Sequence, residues 1–126
     1  MKKICLVFIL FCLTQNAFSQ TVTLENIAKN EGQTVTICED VQSTYLSNKG
    51  KKTAFLQFGQ PYPNETFKVV IFEDVLENFS YDPTELLKEK RVCITGEVVI
   101  YKGRPEMIIT DEQQIKIEWV NWHFRF

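Results

Sequence analysis

The chain has 126 residues, 24% of them charged and 44% hydrophobic, with a formal net charge of −2. That length suits one domain and is too short for two, and the composition excludes disorder. A negative balance argues against a general charge-driven polyanion binder, which needs Lys and Arg to neutralise phosphates.

Residues 1–19 read as a signal peptide. Lys2 and Lys3 give a positive start. Ile4 to Leu13 is an apolar run of about ten residues, too short to cross a bilayer as a helix. Ala17-Phe18-Ser19 puts small residues where a signal peptidase needs them, with cleavage before Gln20. A buried N-terminal helix is one alternative. A lipoprotein is another, against which bulky Phe11 precedes Cys12 where a lipobox wants Gly or Ala. On the signal-peptide reading the protein is exported, periplasmic or secreted, with no stable membrane span after cleavage. Loss of Lys2 and Lys3 takes the 14 basic residues to 12 against 16 acidic ones, a net charge of −4. Of four cysteines, Cys38 and Cys93 remain.

Residues 20–31 form an N-terminal lead-in. Leu24, Ile27 and Ala28 are at helical spacing, so a short helix or loop is expected up to Gly32. From Gln33 the period changes to two. Val35 and Ile37 share a face in the first strand, which the pattern carries through Val41 to Leu46. Residues 47–52 are a polar turn. Thr53 to Phe58 is the second strand. Pro61 and Pro63 break the next stretch by removing backbone donors. Phe67 to Phe72, β-branched and aromatic, is the third.

Asp82-Pro83-Thr84-Glu85 has the signature of a helix start: a capping Asp, Pro at the first position and Glu at the third. A short helix follows. Arg91 to Tyr101 is the fourth strand, with Gly96 permitting a bend. Lys102-Gly103-Arg104-Pro105 is a tight connection. Met107 to Thr110 begins the fifth strand, which Ile115 and Ile117 close or follow. Residues 118–126 form an aromatic C-terminal tail.

Enzymatic chemistry has little to stand on. His123 is the single histidine and sits in the tail. Glu73-Asp74 and Asp111-Glu112 read as turn and cap residues, since neighbours on a strand point to opposite faces. Cys38 and Cys93 lack the spacing of a metal knuckle. No enzyme activity, metal or cofactor is expected.

Three strands, one short helix and two strands give an all-β class. The order suits a five-stranded OB-fold Greek-key barrel over 32–117, with the helix between strands 3 and 4. Four runs sharpen this: Gly32 to Cys38; Leu56-Gln57-Phe58-Gly59-Gln60-Pro61-Tyr62-Pro63-Asn64; Phe67 to Phe72; and Val92 to Gly96 with Tyr101 to Ile109. On these the chain resembles small bacterial OB-fold domains of nucleic-acid-binding type, some joined to exported nucleases. It departs from them at Glu39, where Gly is common, and in its tail. The runs specify fold and name no catalytic residue.

The resemblance implies a cleft on the outer face of strands 2 and 3, flanked by the 1–2 and 4–5 loops. With Leu56, Phe58, Phe67, Val69 and Ile71 pointing inward, Phe55, Gln57, Lys68, Val70 and Phe72 point outward. Phe55 beside Phe72 would make a stacking platform, with Gln57 and Lys68 as polar contacts. Lys49, Lys51 and Lys52 from one loop, and Lys102 and Arg104 from the other, would rim it. Core placement of Phe55 and Phe72 is the competing reading. Tyr62, between two prolines, reads as a wedge that fixes its loop. Cys38 and Cys93 lie on neighbouring strands of such a barrel and are a candidate disulfide; the alternative is two half-buried thiols.

The implied ligand is single-stranded nucleic acid. The alternative is a glycan, peptide or envelope-protein partner, which the acidity and Trp119, Trp122, Phe124 and Phe126 favour.

Overall fold

The computed structural model describes residues 20–119. The expected signal peptide and most of the aromatic tail, including His123, lie outside the described residues.

Among the described residues nine strands run in chain order: β1 (Gln20–Val22), β2 (Thr34–Asp40), β3 (Ser43–Ser47), β4 (Thr53–Phe58), β5 (Phe67–Phe72), β6 (Arg91–Glu97), β7 (Val99–Tyr101), β8 (Arg104–Ile108) and β9 (Ile115–Ile117). Two helical turns, α1 (Glu73–Leu76) and α2 (Pro83–Leu86), separate β5 from β6. The strands form two sheets, β1-β2-β6-β9 and β3-β4-β5-β8-β7.

This corrects the five-stranded closed barrel with one helix. The expected first strand is cut into β2 and β3, and the expected fourth into β6 and β7. Each cut is a change of partner. Val41 N donates to Lys90 O at 2.8 Å, whereas the next residue, Gln42, donates to Gln57 O at 2.9 Å. Val98 N donates to Gln33 O at 3.0 Å, while Val99 is already paired with Glu106. At each of these two cuts the chain passes from the four-stranded sheet to the five-stranded one, and the ladders end as two open sheets. The expected fifth strand also divides: β8 pairs in parallel with β5, and β9 crosses to pair antiparallel with β6.

The cores of these elements follow the period-two pattern. Ile37, Leu56, Phe58, Phe67, Val69, Ile71, Ile94 and Met107 are buried between the sheets. The lead-in belongs to the core too. β1 pairs in parallel with β2, and Ile27 on the 3-10 turn Ile27–Asn30 is fully buried. The α2 start follows its signature, with Asp82 Oδ1 accepting from Thr84 N at 3.0 Å. Leu87, at its end, is buried against the core. Lys102 and Gly103 both take left-handed φ, 50° and 80°, which suits the two-residue turn of a twisted hairpin.

Cys38 and Cys93 are opposite each other in the β2–β6 ladder and are joined by a disulfide. The bond lies on the outer face, beside the hydrogen-bonded pair Thr36 and Thr95.

Candidate ligand-binding face

The register of the five-stranded sheet sets its outer side chains in rows across the strands. Tyr45 pairs with Phe55, Phe55 with Val70, and Val70 with Ile108. This row is apolar and spans four strands. The next row, two residues along, is Ser43, Gln57, Lys68 and Glu106. It is polar. Alternation on each strand places both rows on the face away from the core.

The apolar row carries the exposed aromatic surface. The rings of Tyr45 and Phe55 stack, with centroids 6.2 Å apart and planes 23° from parallel. Tyr45 is 54% exposed and Phe55 half-buried. The polar row is satisfied within itself. Ser43 Oγ donates to Gln57 Oε1 at 2.5 Å, and Lys68 Nζ stands 3.0 Å from Glu106 Oε2. The same ammonium lies 5.3 Å from the Phe55 ring centroid, where a ring face attracts a cation.

Above these rows opens a cavity of about 640 Å³ lined by Ser43, Thr44, Tyr45, Phe55, Gln57, Pro61, Tyr62 and Lys68. Pro61 and Tyr62 come from the β4–β5 loop, in which the Tyr62–Pro63 peptide is cis. Tyr62 is 73% exposed, so it does not wedge its loop; it stands at the cavity rim.

Of the residues expected at a site, Phe55, Gln57 and Lys68 meet in this cavity. Gln57 is more buried than an outward residue was expected to be, because it is sealed by Ser43, and Val70 is buried beneath its neighbours. Phe72 does not join Phe55. It pairs with Thr53 and is 46% exposed at the far end of the strand, in a second concavity with Lys51, Glu73, Asp74 and Glu77. Among the described residues Phe55 therefore stacks on Tyr45 and not, as expected, on Phe72.

The basic residues also divide. Lys49, Lys51 and Lys52 are exposed on the loop at the Thr53 end of β4, while Lys102 and Arg104 sit at the Phe58 end, where β8 starts. Three carboxylates accompany Lys51. Lys102 lies 5.4 Å from the Tyr101 ring. Arg104 is bonded to the Pro63 carbonyl and faces Glu65. The loops frame the sheet from opposite ends instead of closing round one pocket.

Sequence reasoning missed Tyr45, Ser43, Glu106 and the rim position of Tyr62. The signal for two of them was present: Ser43, Tyr45 and Ser47 continue an alternation into β3.

Elsewhere the acidic pairs take local roles. Asp111 caps the 3-10 turn Glu112–Gln114 in a capping box, and Glu73 and Asp74 form the first turn of α1. Cys38, Cys93 and Glu118 bring one donor atom each within 4.8 Å. The two sulfurs are bonded to one another, so neither offers the thiolate a metal ligand needs.

No protein-family model and no curated protein matches the sequence. Solved structures do. The crystal structure of yeast Stn1 and Ten1 superimposes with a TM-score of 0.56 at 15% identity, over 90% of this chain and 70% of that one. A Leishmania major Friedlin chain named as an aspartyl-tRNA synthetase superimposes at 0.51 with 13% identity, over 83% of this chain and 22% of that one. At such identity the likeness is one of fold: a mostly β, OB-type arrangement of two sheets and two short helices.

Proposed function

We propose that the protein is a binding module, not an enzyme, and that it holds a short stretch of single-stranded nucleic acid across the outer face of β3, β4 and β5. The observation that carries this is the stacked, solvent-facing Tyr45–Phe55 pair with Tyr62 at its rim. Unpaired bases stack on such rings with little regard to sequence. Beyond the Ser43–Gln57 bond, the Gln57 side-chain NH2 is the group that can donate to a base edge. The binding reading is supported by the lining itself, which pairs no nucleophile with a base.

The module works outside the cytoplasm, periplasmic or secreted. The sequence of residues 1–19 and the Cys38–Cys93 disulfide both support this, since disulfides persist in oxidising compartments. Among the described residues no helix is long and apolar enough to cross a membrane.

A glycan is the second reading, and one observation favours it. The cavity's cation, Lys68, is already paired with Glu106, and sugar rings stack on aromatic faces without needing charge. Fluorescence anisotropy separates the two. The protein from Gln20 onward is titrated with a labelled oligothymidylate of about ten nucleotides, within the span one OB domain covers, at low and moderate salt. Saturable binding that weakens with salt supports nucleic acid. Absence of binding at low salt overturns it and leaves the glycan reading.

A further inference from the structure

The loop that carries Tyr62, residues 59–66, has a fixed base and a loosely tied crown. At the base, Thr66 N donates to Phe58 O at 2.9 Å. Gly59 has φ +90°, and a Cβ there would lie 2.4 Å from Thr66 Oγ1, so a side chain is excluded on both counts. In the crown, Asn64 N donates to Pro61 O at 2.9 Å. Neither bond joins the crown to another strand.

That tie comes from β8. The Arg104 guanidinium donates to the Pro63 carbonyl, and Nη1 stands 3.5 Å from Glu65 Oε1. The two partners differ in burial: the Glu65 side chain is 4% exposed and that of Arg104 49%. Glu65 Oε2 is buried without a hydrogen-bond partner. A carboxylate so placed needs a compensating cation, and among the described residues Arg104 is the one paired with it.

We propose that Arg104 is a positioning residue. By holding Pro63 and Glu65 it fixes the crown of the loop, so that Tyr62 stands at the rim of the aromatic cavity. The sequence alone gives Arg104 a role on ligand phosphate; the geometry gives its charge to Glu65. A guanidinium suits the task, since its planar fork can meet a carbonyl and a carboxylate together. This inference rests on the reading of the cavity as the ligand site.

The test has two arms. Hydrogen exchange needs no ligand. Arg104→Gln is expected to speed exchange of the crown amide Asn64 about tenfold, as a locally opened segment does, and to leave the Thr66 amide at the base unchanged, while Arg104→Lys restores part of the Asn64 protection by returning a cation to Glu65. Unchanged Asn64 exchange in Arg104→Gln overturns the tether. The second arm is a double-mutant cycle with the labelled oligothymidylate at two salt concentrations. Tyr62→Ala and Arg104→Gln each lose affinity by roughly five- to a hundredfold, the range one stacking contact supplies, and the double variant loses no more than the larger single loss. Additive losses, or an Arg104→Gln loss confined to low salt, would mean that Arg104 meets phosphate directly and overturn the proposal. Should no oligonucleotide bind, the ligand reading fails alone; faster exchange would still uphold the tether and unchanged exchange would still remove it.

Discussion

Tyr45 and Phe55 face each other across β3 and β4, 6.2 Å between ring centres, on the side of the sheet that faces away from the core. Phe58 and Phe67, by contrast, are packed at 5.4 Å inside the core. The exposed pair is expected to carry ligand affinity. Tyr45→Ala should weaken oligonucleotide binding by about 1–3 kcal/mol and leave the thermal midpoint nearly unchanged, because its ring is 54% exposed. Phe55→Ala should lose a similar affinity and some stability as well. Anisotropy titration and thermal unfolding separate the two effects. Unaltered affinity in both variants would place the ligand elsewhere.

Charge at the site is set by one ion pair. Glu106 holds Lys68 at 3.0 Å and is itself nearly buried. Glu106→Gln keeps the shape and an acceptor oxygen but frees the ammonium for phosphate. Affinity for single-stranded nucleic acid should then rise about fivefold at low salt, on the order of one exposed charge contact. The slope of log affinity against log salt should steepen by about 0.7, one more phosphate neutralised on a single strand. A neutral glycan would show neither change. Lys68→Gln is the opposite case: it leaves Glu106 buried without its cation and should lower stability by about 1–3 kcal/mol.

Much of this was legible in the sequence, and what was not has a common cause. The β4 and β5 boundaries follow from apolar, β-branched and aromatic runs set between turn residues, and the α2 start from Asp82 and Pro83, because these signals are local. The strand breaks were hidden. A chain that changes partners at Val41 keeps its period, and the bond that marks the change runs to Lys90, far along the sequence. The site was half legible for the same reason. Outward-facing Phe55, Gln57 and Lys68 could be read from parity. That Phe55 meets Tyr45 and not Phe72 depends on register, and that Lys68 is neutralised depends on β5 lying parallel to β8. Arg104 looked like a free loop charge; its partners lie 41 and 39 positions away, at Pro63 and Glu65.

The disulfide closes a loop with a sequence separation of 55 between Cys38 and Cys93, and it ties β2 to β6 near the point where β2 gives way to β3. Constraining a loop of that size in the unfolded chain is worth about 2–4 kcal/mol. The Cys38→Ser/Cys93→Ser variant should be less stable by that amount in denaturant unfolding while still binding ligand, since the bond lies on the sheet that does not carry the aromatic face. Intact mass with and without reductant checks the bond itself. Equal stability of the paired variant would mean that the cross-link adds nothing to the hydrogen-bonded ladder it spans.

Tyr81 is expected to make the fold lose stability at alkaline pH. Its phenol is pushed above the ordinary 10.0, first by burial and then by the negative charge of Glu112. Glu112 is held beside it by Ser80, whose N–H and Oγ donate to the two carboxylate oxygens at 3.1 and 2.8 Å. The ring of Phe79 packs edge-on at 5.4 Å. The folded protein thus keeps the Tyr81 proton at pH values where the unfolded chain has released it. By linkage, the stability this group contributes is fully present below pH 10.0 and is lost as pH rises through the higher folded value. Urea midpoints measured on both sides of that pH should fall more steeply for the native protein than for Tyr81→Phe, which has no proton to lose. Glu112→Gln should flatten the fall in part, by removing the second cause and leaving the first. If Tyr81→Phe loses stability with the same slope, the alkaline loss belongs to another group.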